Sequence, residues 1–407
     1  MRRSLTLAAL ALAAAPAALA QANSGEWEVN ARLTVAGSAI EDESLLAPAG
    51  DSLLAAGSLV VSRSDTFENG VTLAWRGEVR VDRDASTRPA FAGVLGDCPA
   101  ASALCPRVTD GVSFLSPVSP ATGLAADGAL ADEDGFVTLE GASVSLSGAW
   151  GEGVVGLDSG VAARLDARAP TVLQIVSAVS PGLDPTGLVV TRARNDVTGP
   201  SVKASYMSPR WIGFRLGASF TPKADQRGAD FDPDFGGPGL GKAELEDVWE
   251  GALSFDRRFQ PSRLRVRAAI TATMATSGSV LTGFGDYEAW GAGLELEQGE
   301  WTGGIRWLSS NNAWDSGNGD YEAWEVGLVR QGDKWRIGIE GGWSEDRLTG
   351  TEGASWLVGA SRKINEHFDL GLAWTSAEAD LPVLLGPSLS HTNVRNDGLV
   401  LELTVRN

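Results

Sequence analysis

The feature that most constrains this chain is a strict alternation of apolar and polar residues, which recurs in short stretches from residue 27 onward. In the stretch 27–35, Trp27, Val29, Leu33 and Val35 alternate with polar or charged residues. Side chains of a β-strand point alternately to opposite faces, whereas a period of two would scatter apolar residues all around a helix. The pattern therefore predicts an all-β chain made of strands with one apolar face each.

Turn residues divide the chain into sixteen predicted strands. Their ranges are 26–36, 57–66, 70–83, 134–148, 151–159, 199–207, 212–221, 246–260, 262–275, 285–298, 301–310, 320–331, 334–345, 353–364, 367–377 and 396–406. Short connections rich in Gly, Pro and Asn alternate with long ones, such as 84–133, 160–198 and 378–395. This layout is typical of a transmembrane antiparallel up-and-down β-barrel, whose closure leaves no unpaired strand edge in lipid.

Aromatic residues support this fold because they gather near both ends of the predicted strands. Those near the short turns are Trp27, Trp75, Trp150, Trp211, Phe259, Trp301, Trp335 and Phe368, and those nearer the long loops are Trp290, Trp307, Trp324, Trp343, Trp356 and Trp374. Two such belts fit rings anchored at both membrane interfaces. The alternative, a soluble β-sandwich with Trp in its core, does not require sixteen strands or long loops confined to one end.

Composition excludes several function classes. The chain has 407 residues, 33 Lys and Arg against 52 Asp and Glu, and a formal net charge of −19. An acidic chain is a poor nucleic-acid binder, since that affinity comes mainly from basic residues. With two His and two Cys, the chain cannot build a typical His/Cys zinc site. We expect no cofactor and no catalysis, although the acids of the long loops are candidates for divalent cations without the spacing of an EF-hand.

The amino terminus predicts export. Arg2 and Arg3 precede an apolar run that ends in small residues at Ala20, which is the order of a secretory signal peptide. We expect 1–20 to be removed and 21–407 to form the barrel, which changes the formal charge from −19 to −21 and favours a mild preference for cations. In the oxidising compartment that follows export, Cys98 and Cys105 are expected to form a local disulfide.

One stretch carries a family resemblance. Arg194-Asn195-Asp196, followed by the segment from Ser201 to Pro222 with Tyr206-Met207-Ser208-Pro209 and Gly213-Phe214, resembles the general diffusion porins of Gram-negative bacteria. The resemblance implies a bacterial outer-membrane homotrimer of sixteen-stranded barrels, in contact with lipid and lipopolysaccharide. It departs at the end of the chain, because these porins usually end in an aromatic residue and this chain reads Val405-Arg406-Asn407.

The resemblance also implies that the third long loop folds into the lumen and narrows the pore. The connection 160–198 lies at that place, and Val172, Ile175, Val176 and Val179 have the spacing of a helical turn packed on the inner wall. The alternative is an added hairpin, which would give eighteen strands. By position, the connection 84–133 resembles the loop that holds a neighbouring subunit.

If the apolar faces of the strands meet lipid, the charged residues between them face the lumen, because a charge on the lipid face costs about 2–4 kcal/mol at mid-membrane. The predicted lumen residues of the strands are Arg32, Arg76, Arg80, Arg215, Arg263, Arg265 and Arg267. The loop and its flank add Asp158, Arg164, Asp166 and Arg168. Such porins place arginines on the wall opposite acids on the loop, so Arg32, Arg76 and Arg80 are expected to face Asp158 and Asp166. The alternative is that these charges pair with one another.

These features together predict a water-filled channel for passive diffusion of small hydrophilic solutes and ions. Two alternatives stay open at this point. One is a channel selective for a sugar or an anion, and the other is a barrel with a structural or adhesive role and little conductance.

Overall fold

The structure is a computed structural model that describes residues 27–42, 52–83, 119–123, 136–224, 243–277, 284–315, 318–385 and 388–407. The predicted signal peptide with its cleavage site at Ala20, the pair Cys98 and Cys105, and most of the connection 84–133 lie outside these residues.

The described chain forms one closed barrel of sixteen strands. The strands are β1 (Glu28–Asp42), β2 (Leu53–Thr66), β3 (Thr72–Arg83), β4 (Phe136–Gly148), β5 (Gly151–Asp158), β6 (Ser201–Met207), β7 (Phe214–Lys223), β8 (Leu245–Arg258), β9 (Arg265–Ser277), β10 (Tyr287–Gln298), β11 (Trp301–Ser310), β12 (Tyr321–Gln331), β13 (Trp335–Asp346), β14 (Thr351–Lys363), β15 (Phe368–Leu385) and β16 (Ser388–Arg406). Each strand pairs antiparallel with its neighbours in the sequence, and β1 pairs with β16 to close the sheet. The predicted all-β barrel is confirmed, and the alternative of eighteen strands is wrong.

The two faces of the sheet differ as the alternation predicts. On β9, Ile270 is exposed on the outside, while Thr271 and Thr273 are buried on the inside. The belt aromatics that are exposed on the outer surface include Trp75, Trp301 and Trp335 near the short turns and Trp290, Trp324, Trp356 and Trp374 nearer the other end. Trp249 on β8 joins the second belt, although the sequence did not single it out. The outer surface is therefore apolar, with aromatic rings at both ends.

The sequence Gly-Asp-Tyr-Glu-Ala-Trp occurs twice, at 285–290 and at 319–324, and its side chains take the same faces of the sheet each time. Tyr287 and Tyr321 are buried inside the barrel, while Trp290 and Trp324 point outward. The indole N–H of each Trp donates to a glutamate two residues earlier in the chain, at 2.7 Å for Trp290 and 3.1 Å for Trp324.

Several strands extend beyond their predicted ends at the long-loop side. β15 continues to Leu385 and β16 begins at Ser388, so the predicted connection 378–395 is almost entirely strand. β1 and β2 likewise continue to Asp42 and from Leu53. These strand extensions project beyond the apolar band of the outer surface, and their outward positions carry acids such as Glu378 and Asp380. Strand pairing therefore continues beyond the apolar outer face by which the sequence identifies a strand.

At one end of the pairing between β1 and β16, the side chain of Asn407 takes the place of a backbone partner. The Asn407 side chain accepts a hydrogen bond from the Ala31 N–H at 2.8 Å and donates one to the Val29 carbonyl oxygen at 2.8 Å. The side-chain amide thus makes one accepted and one donated hydrogen bond, as a backbone peptide group would, and extends the pairing of the two strands.

Candidate functional site: a loop bound inside the barrel

The segment 159–200 between β5 and β6, called the inner loop below, lies inside the barrel and is almost entirely buried. It begins with a single helical turn, α1 (Val161–Arg164), which packs through Val161 and Leu165 against Val154, Met207 and Ala252. Within the described residues, no helix is long and apolar enough to cross a membrane. The rest of the loop follows the inner wall as far as β16.

Buried glutamates of the wall hold the backbone and side chains of the inner loop. Glu402 on β16 accepts three backbone N–H bonds, from Gln174 at 2.7 Å, Ile175 at 3.0 Å and Val176 at 3.4 Å. Glu340 on β13 accepts from the Ser177 hydroxyl at 2.9 Å. A carboxylate is a strong acceptor because its hydrogen bonds are charge-assisted. These contacts fix the middle of the loop to the wall.

A further carboxylate on β8 holds the two ends of the inner loop together. Glu250 accepts from the Thr198 hydroxyl at 3.1 Å and also from Ser219, whose hydroxyl oxygen accepts the Val161 N–H at 3.2 Å. The ammonium of Lys203 donates to the Gly199 carbonyl oxygen at 2.9 Å and to the Thr198 hydroxyl at 2.7 Å. Both ends of the loop therefore meet at one polar cluster on the wall.

Uncharged groups complete the attachment of the inner loop between its ends. The Tyr321 hydroxyl receives the Arg192 N–H at 2.8 Å and donates to the Arg192 carbonyl oxygen at 2.9 Å. The Asn195 amide bonds to Thr271 at 3.1 Å and to Thr273 at 2.8 Å. The buried polar groups of the loop thus find partners on the wall, as groups removed from water must.

Inward-facing glycines let the loop approach the wall closely. A Cβ at Gly304 would lie 2.9 Å from the Ala169 Cα, and one at Gly217 would lie 2.7 Å from a Leu165 methyl carbon. The same holds for Gly293, Gly327, Gly342, Gly353 and Gly371, which together with Gly304 stand on the successive strands β10 to β15 under the loop. The wall is therefore recessed along the path of the loop.

The predicted helical turn at 172–179 is wrong. Val172 and Val176 are buried against Ala36, Leu54 and Val400 of the wall, as expected for inner-wall packing. The segment is nevertheless not helical, since the N–H groups of 174–176 are bound by Glu402 and are not available for helical hydrogen bonds.

The charged side chains converge on a cavity of about 310 Å³ between the inner loop and the wall. Of the predicted lumen residues, Arg80 from β3 and Arg168 from the loop line this cavity. They are joined there by Arg192 and Arg194 of the loop and by Arg306 of β11, with Glu325 of β12 as the acid among the lining residues. The cavity therefore presents mainly guanidinium groups to the lumen.

The remaining predicted arginines lie on the inner wall nearer the short turns, where acids neutralise several of them. Arg215 binds Glu152 at 2.9 Å, Arg265 binds Asp256 at 2.8 Å, and Arg267 binds Glu295 at 2.7 Å. Arg76 binds Glu78 on its own strand, and Arg32 faces inward near the start of β1. The placement of Arg263 on a strand is wrong, because β9 begins at Arg265 and Arg263 turns the chain with a φ of 56°.

The predicted acids of the loop are bound by arginines other than Arg32, Arg76 and Arg80. Asp158 binds Arg164 at 3.2 Å, and Asp166 binds Arg306 at 3.0 Å. Arg80 instead binds Asp82 at 2.6 Å. Burial raises the pKa of the Asp166 carboxyl above its ordinary value, against the opposing effect of Arg306. That Arg32, Arg76 and Arg80 face these two acids across the passage remains a prediction.

Sequence reasoning missed Arg306, Glu325 and the anchoring glutamates. A signal for Arg306 was present, since it is a lone charge between Ile305 and Trp307 on an otherwise uncharged strand. The anchoring glutamates carry no such signal, because the sequence of an inward-facing position does not indicate whether its side chain contacts water or a loop. Across the described ranges, no group of three or more His, Cys, Asp or Glu residues is placed to hold a metal ion.

Comparison with known proteins agrees with this geometry. Residues 6–380 match the family model described as Gram-negative porin. No curated protein matches the sequence. Among solved structures, the chain is similar to the anion-selective porin from Comamonas acidovorans, at 13% identity and a TM-score of 0.52, over 94% of this chain and 99% of that one.

Two further solved structures share the fold. OmpF of Salmonella typhi, in complex with daunomycin, is 12% identical with a TM-score of 0.52, over 94% of this chain and 98% of that one. The outer membrane channel DcaP of Acinetobacter baumannii is 10% identical with a TM-score of 0.51, over 95% of this chain and 99% of that one. The closed barrel, the loop inside it and the match over most of the sequence lead to one conclusion: this chain belongs to the Gram-negative porin family, the outer-membrane channels of passive diffusion.

Proposed function

We propose that solutes cross this channel between the inner loop and the wall that carries Arg80, so that the cavity lined by Arg80, Arg168 and Arg194 is its narrowest charged passage. The observation that carries the proposal is the burial of segment 159–200 inside a closed barrel, so that within the described residues the cavity beside this loop is the space that carries charged side chains. The solutes are small hydrophilic molecules and ions. A polar lining of fixed charges filters them by size and by charge.

The experiment that tests this is single-channel conductance of the purified protein in a planar bilayer. The proposal expects ohmic current steps, and liposomes with the protein should swell in small sugars but not in large ones. A barrel that is β-rich and heat-modifiable yet does not conduct would favour a structural or adhesive role instead.

We also propose that the protein is a homotrimer in contact with lipid and lipopolysaccharide. The apolar outer face with its two aromatic belts supports a lipid partner. One structure with this fold, OmpT of Vibrio cholerae, is described as a trimer form. Current steps that close in threes, and a trimer band on unheated gels, would support the assembly, whereas a monomeric mass in mild detergent would refute it.

Two predictions concern the processing of the exported chain. We propose that the exported chain begins after Ala20 and that Cys98 forms a disulfide with Cys105. Mass spectrometry of the purified protein tests both directly.

We also propose that the protein has no catalytic activity. His367 lies exposed at a short turn with its ring on the Arg406 carbonyl oxygen, and His391 lies exposed beside Asp380 on the extended hairpin. Neither histidine faces the cavity.

A channel selective for anions is the second candidate function. The observation that favours it is the excess of arginine over acid among the side chains that line the cavity.

A further inference from the structure

A second segment of the chain, besides the inner loop, lies buried inside the barrel. Residues 119–123, Ser-Pro-Ala-Thr-Gly, belong to the connection between β3 and β4 and are called the docked turn below. The Gly123 N–H donates to the Ser119 carbonyl oxygen at 2.7 Å and closes the turn. Ser119, Ala121 and Thr122 are only 0%, 6% and 0% exposed, although turns in long connections usually lie on the surface.

The docked turn contacts the wall on the far side of the barrel from the strands that it connects. The side-chain oxygen of Asn312, between β11 and β12, accepts hydrogen bonds from the Ser119 hydroxyl at 2.9 Å and the Ala121 N–H at 3.3 Å. In the closed ring of sixteen strands, β11 and β12 stand seven or eight positions from β3 and β4. The turn therefore rests against the opposite wall of its own barrel.

The residue that receives the docked turn is itself held by hydrogen bonds. The side-chain nitrogen of Asn312 donates to the Gly319 carbonyl oxygen at 2.9 Å and to Asp346 of β13 at 3.1 Å, which leaves the amide oxygen for the turn. Asp346 also accepts the N–H groups of Leu348 at 3.0 Å and Thr349 at 3.3 Å. The side chain of Asn312 is therefore ordered by groups other than those of the turn.

Apolar contacts place the docked turn on the long-loop side of the inner loop. Ala121 belongs to one buried cluster with Ala193 and Val197, from the returning half of the inner loop. The same cluster contains Tyr287 and Tyr321 of the wall, each the first residue of its strand on the long-loop side. The turn therefore takes up part of the lumen between the inner loop and that end of the barrel.

Resting on the proposed conduction path, we propose that the docked turn is a second narrowing element of the pore, which limits the size of the solutes that reach the passage beside the inner loop. By position, the connection 84–133 resembles the loop that holds a neighbouring subunit, whereas the contacts of the docked turn lie within one barrel. Its anchor is the side chain of Asn312, and release of that anchor widens the entrance.

Cross-linking tests which barrel holds the docked turn. Ser119→Cys with Asn312→Cys, in a background where Cys98 and Cys105 are Ser, places thiols where the wild-type side-chain oxygens are 2.9 Å apart. Oxidation, or a short reagent that bridges two thiols, should link the two positions within a single chain on a heated, unreduced gel. A covalent dimer or trimer, or no link in a folded barrel, would overturn the proposal. This readout does not depend on conduction.

Single-channel recording of the same double variant tests the narrowing. Loss of the two hydrogen bonds to Asn312 should raise the undocked fraction of the reduced protein by about 5- to 150-fold. The reduced protein should therefore show a larger current level, which disappears when the link forms and returns on reduction. Faster swelling of liposomes in a disaccharide should accompany the larger level.

A single variant repeats the test without cysteines. Asn312→Gly removes the anchoring amide, and glycine tolerates the φ of 51° at this position. It should show the larger current level. Asn318→Gly is the matched control, because Asn318 lies in the same connection with a φ of 69° but is exposed. It should conduct like the wild type.

The outcomes separate the docked turn from the conduction path. Equal conductance in the linked and reduced forms, with Asn312→Gly like Asn318→Gly, would overturn the narrowing role and leave the channel in place. A folded barrel that forms the link but does not conduct would overturn the proposed function, and the narrowing role with it. The comparison of linked and reduced forms uses one folded protein, so it decides the matter even if Asn312→Gly fails to fold.

Discussion

Two inward-facing glycines, Gly304 on β11 and Gly327 on β12, determine how closely the inner loop lies against the wall. A Cβ added at Gly304 would stand 2.9 Å from the Ala169 Cα and 3.1 Å from the Pro170 Cδ. Non-bonded carbon atoms have their optimum at about 3.5–4.0 Å, so Gly304→Ala should displace the loop from the wall by roughly 0.5–1 Å.

The size and sign of the effect follow from this overlap. Overpacking of a well-packed site costs about 1–3 kcal/mol, whereas Gly→Ala on an unobstructed strand gains about 0.5–1 kcal/mol. Gly251 on β8 provides the control, because an added Cβ there has nothing within 4 Å. The two variants should therefore differ in free energy of unfolding by about 1.5–4 kcal/mol, with opposite signs relative to wild type.

Urea unfolding in detergent, followed by Trp fluorescence, measures the free energy, and single-channel recording measures the position of the loop. Gly304→Ala should be less stable than wild type and should change the conductance, because the displaced loop enters the passage. Gly251→Ala should keep the wild-type conductance. If Gly304→Ala were as stable as Gly251→Ala and conducted like wild type, the close approach of loop and wall would be refuted.

Three other perturbations test the anchors and the charges. Glu402→Gln keeps the shape of the side chain but weakens three hydrogen bonds from residues 174–176, each worth about 1.5–3 kcal/mol to a charged acceptor. The current through this variant should therefore fluctuate as the loop moves. A current as steady as that of the wild type would contradict the anchoring role of Glu402. Burial raises the pKa of Asp166, so acidification through that raised value removes one negative charge beside Arg306, and the preference for anions measured by reversal potential should increase as pH falls. The Asp166→Asn variant should already show the increased preference at neutral pH and lack this part of the pH dependence; an unchanged selectivity in it would contradict the assignment. Replacing Arg80 with Ser should shift selectivity toward cations more than replacing Arg76 with Ser, because Arg80 lines the cavity and Arg76 pairs with Glu78 nearer a short turn; equal shifts would show that the cavity is not the filter.

The wall of the barrel could be predicted from the sequence because its rule is local. Alternating side chains such as Leu401 and Leu403 meet lipid whatever the rest of the chain does, so strand number, faces and aromatic belts follow from the pattern. The rule fails where lipid ends. Beyond Ala377, the outward positions of β15 carry the acids Glu378 and Asp380, so this part pairs with β16 but lacks the apolar outer face by which the sequence identifies a strand.

The interior could be predicted only in part, because its contacts join residues far apart in the chain. The family resemblance implies that 160–198 enters the lumen, and the alternation of the strands indicates that Arg80 faces it. It does not reveal that Glu402 binds residues more than two hundred positions earlier, or that Arg306 takes Asp166 as its partner. The predicted helical turn fails for the same reason, since long-range carboxylate contacts override a local spacing.

Solutes are proposed to pass between the inner loop and the wall beside Arg168, and chemical modification during conduction tests this path. Arg168→Cys would be recorded in a planar bilayer, in a background where Cys98 and Cys105 are Ser, and a bulky thiol reagent would be added during the recording. Arg330→Cys on the outer surface is the control. A sharp, stepwise loss of current is expected for Arg168→Cys and none for Arg330→Cys. An unchanged current after complete modification at position 168 would contradict this path.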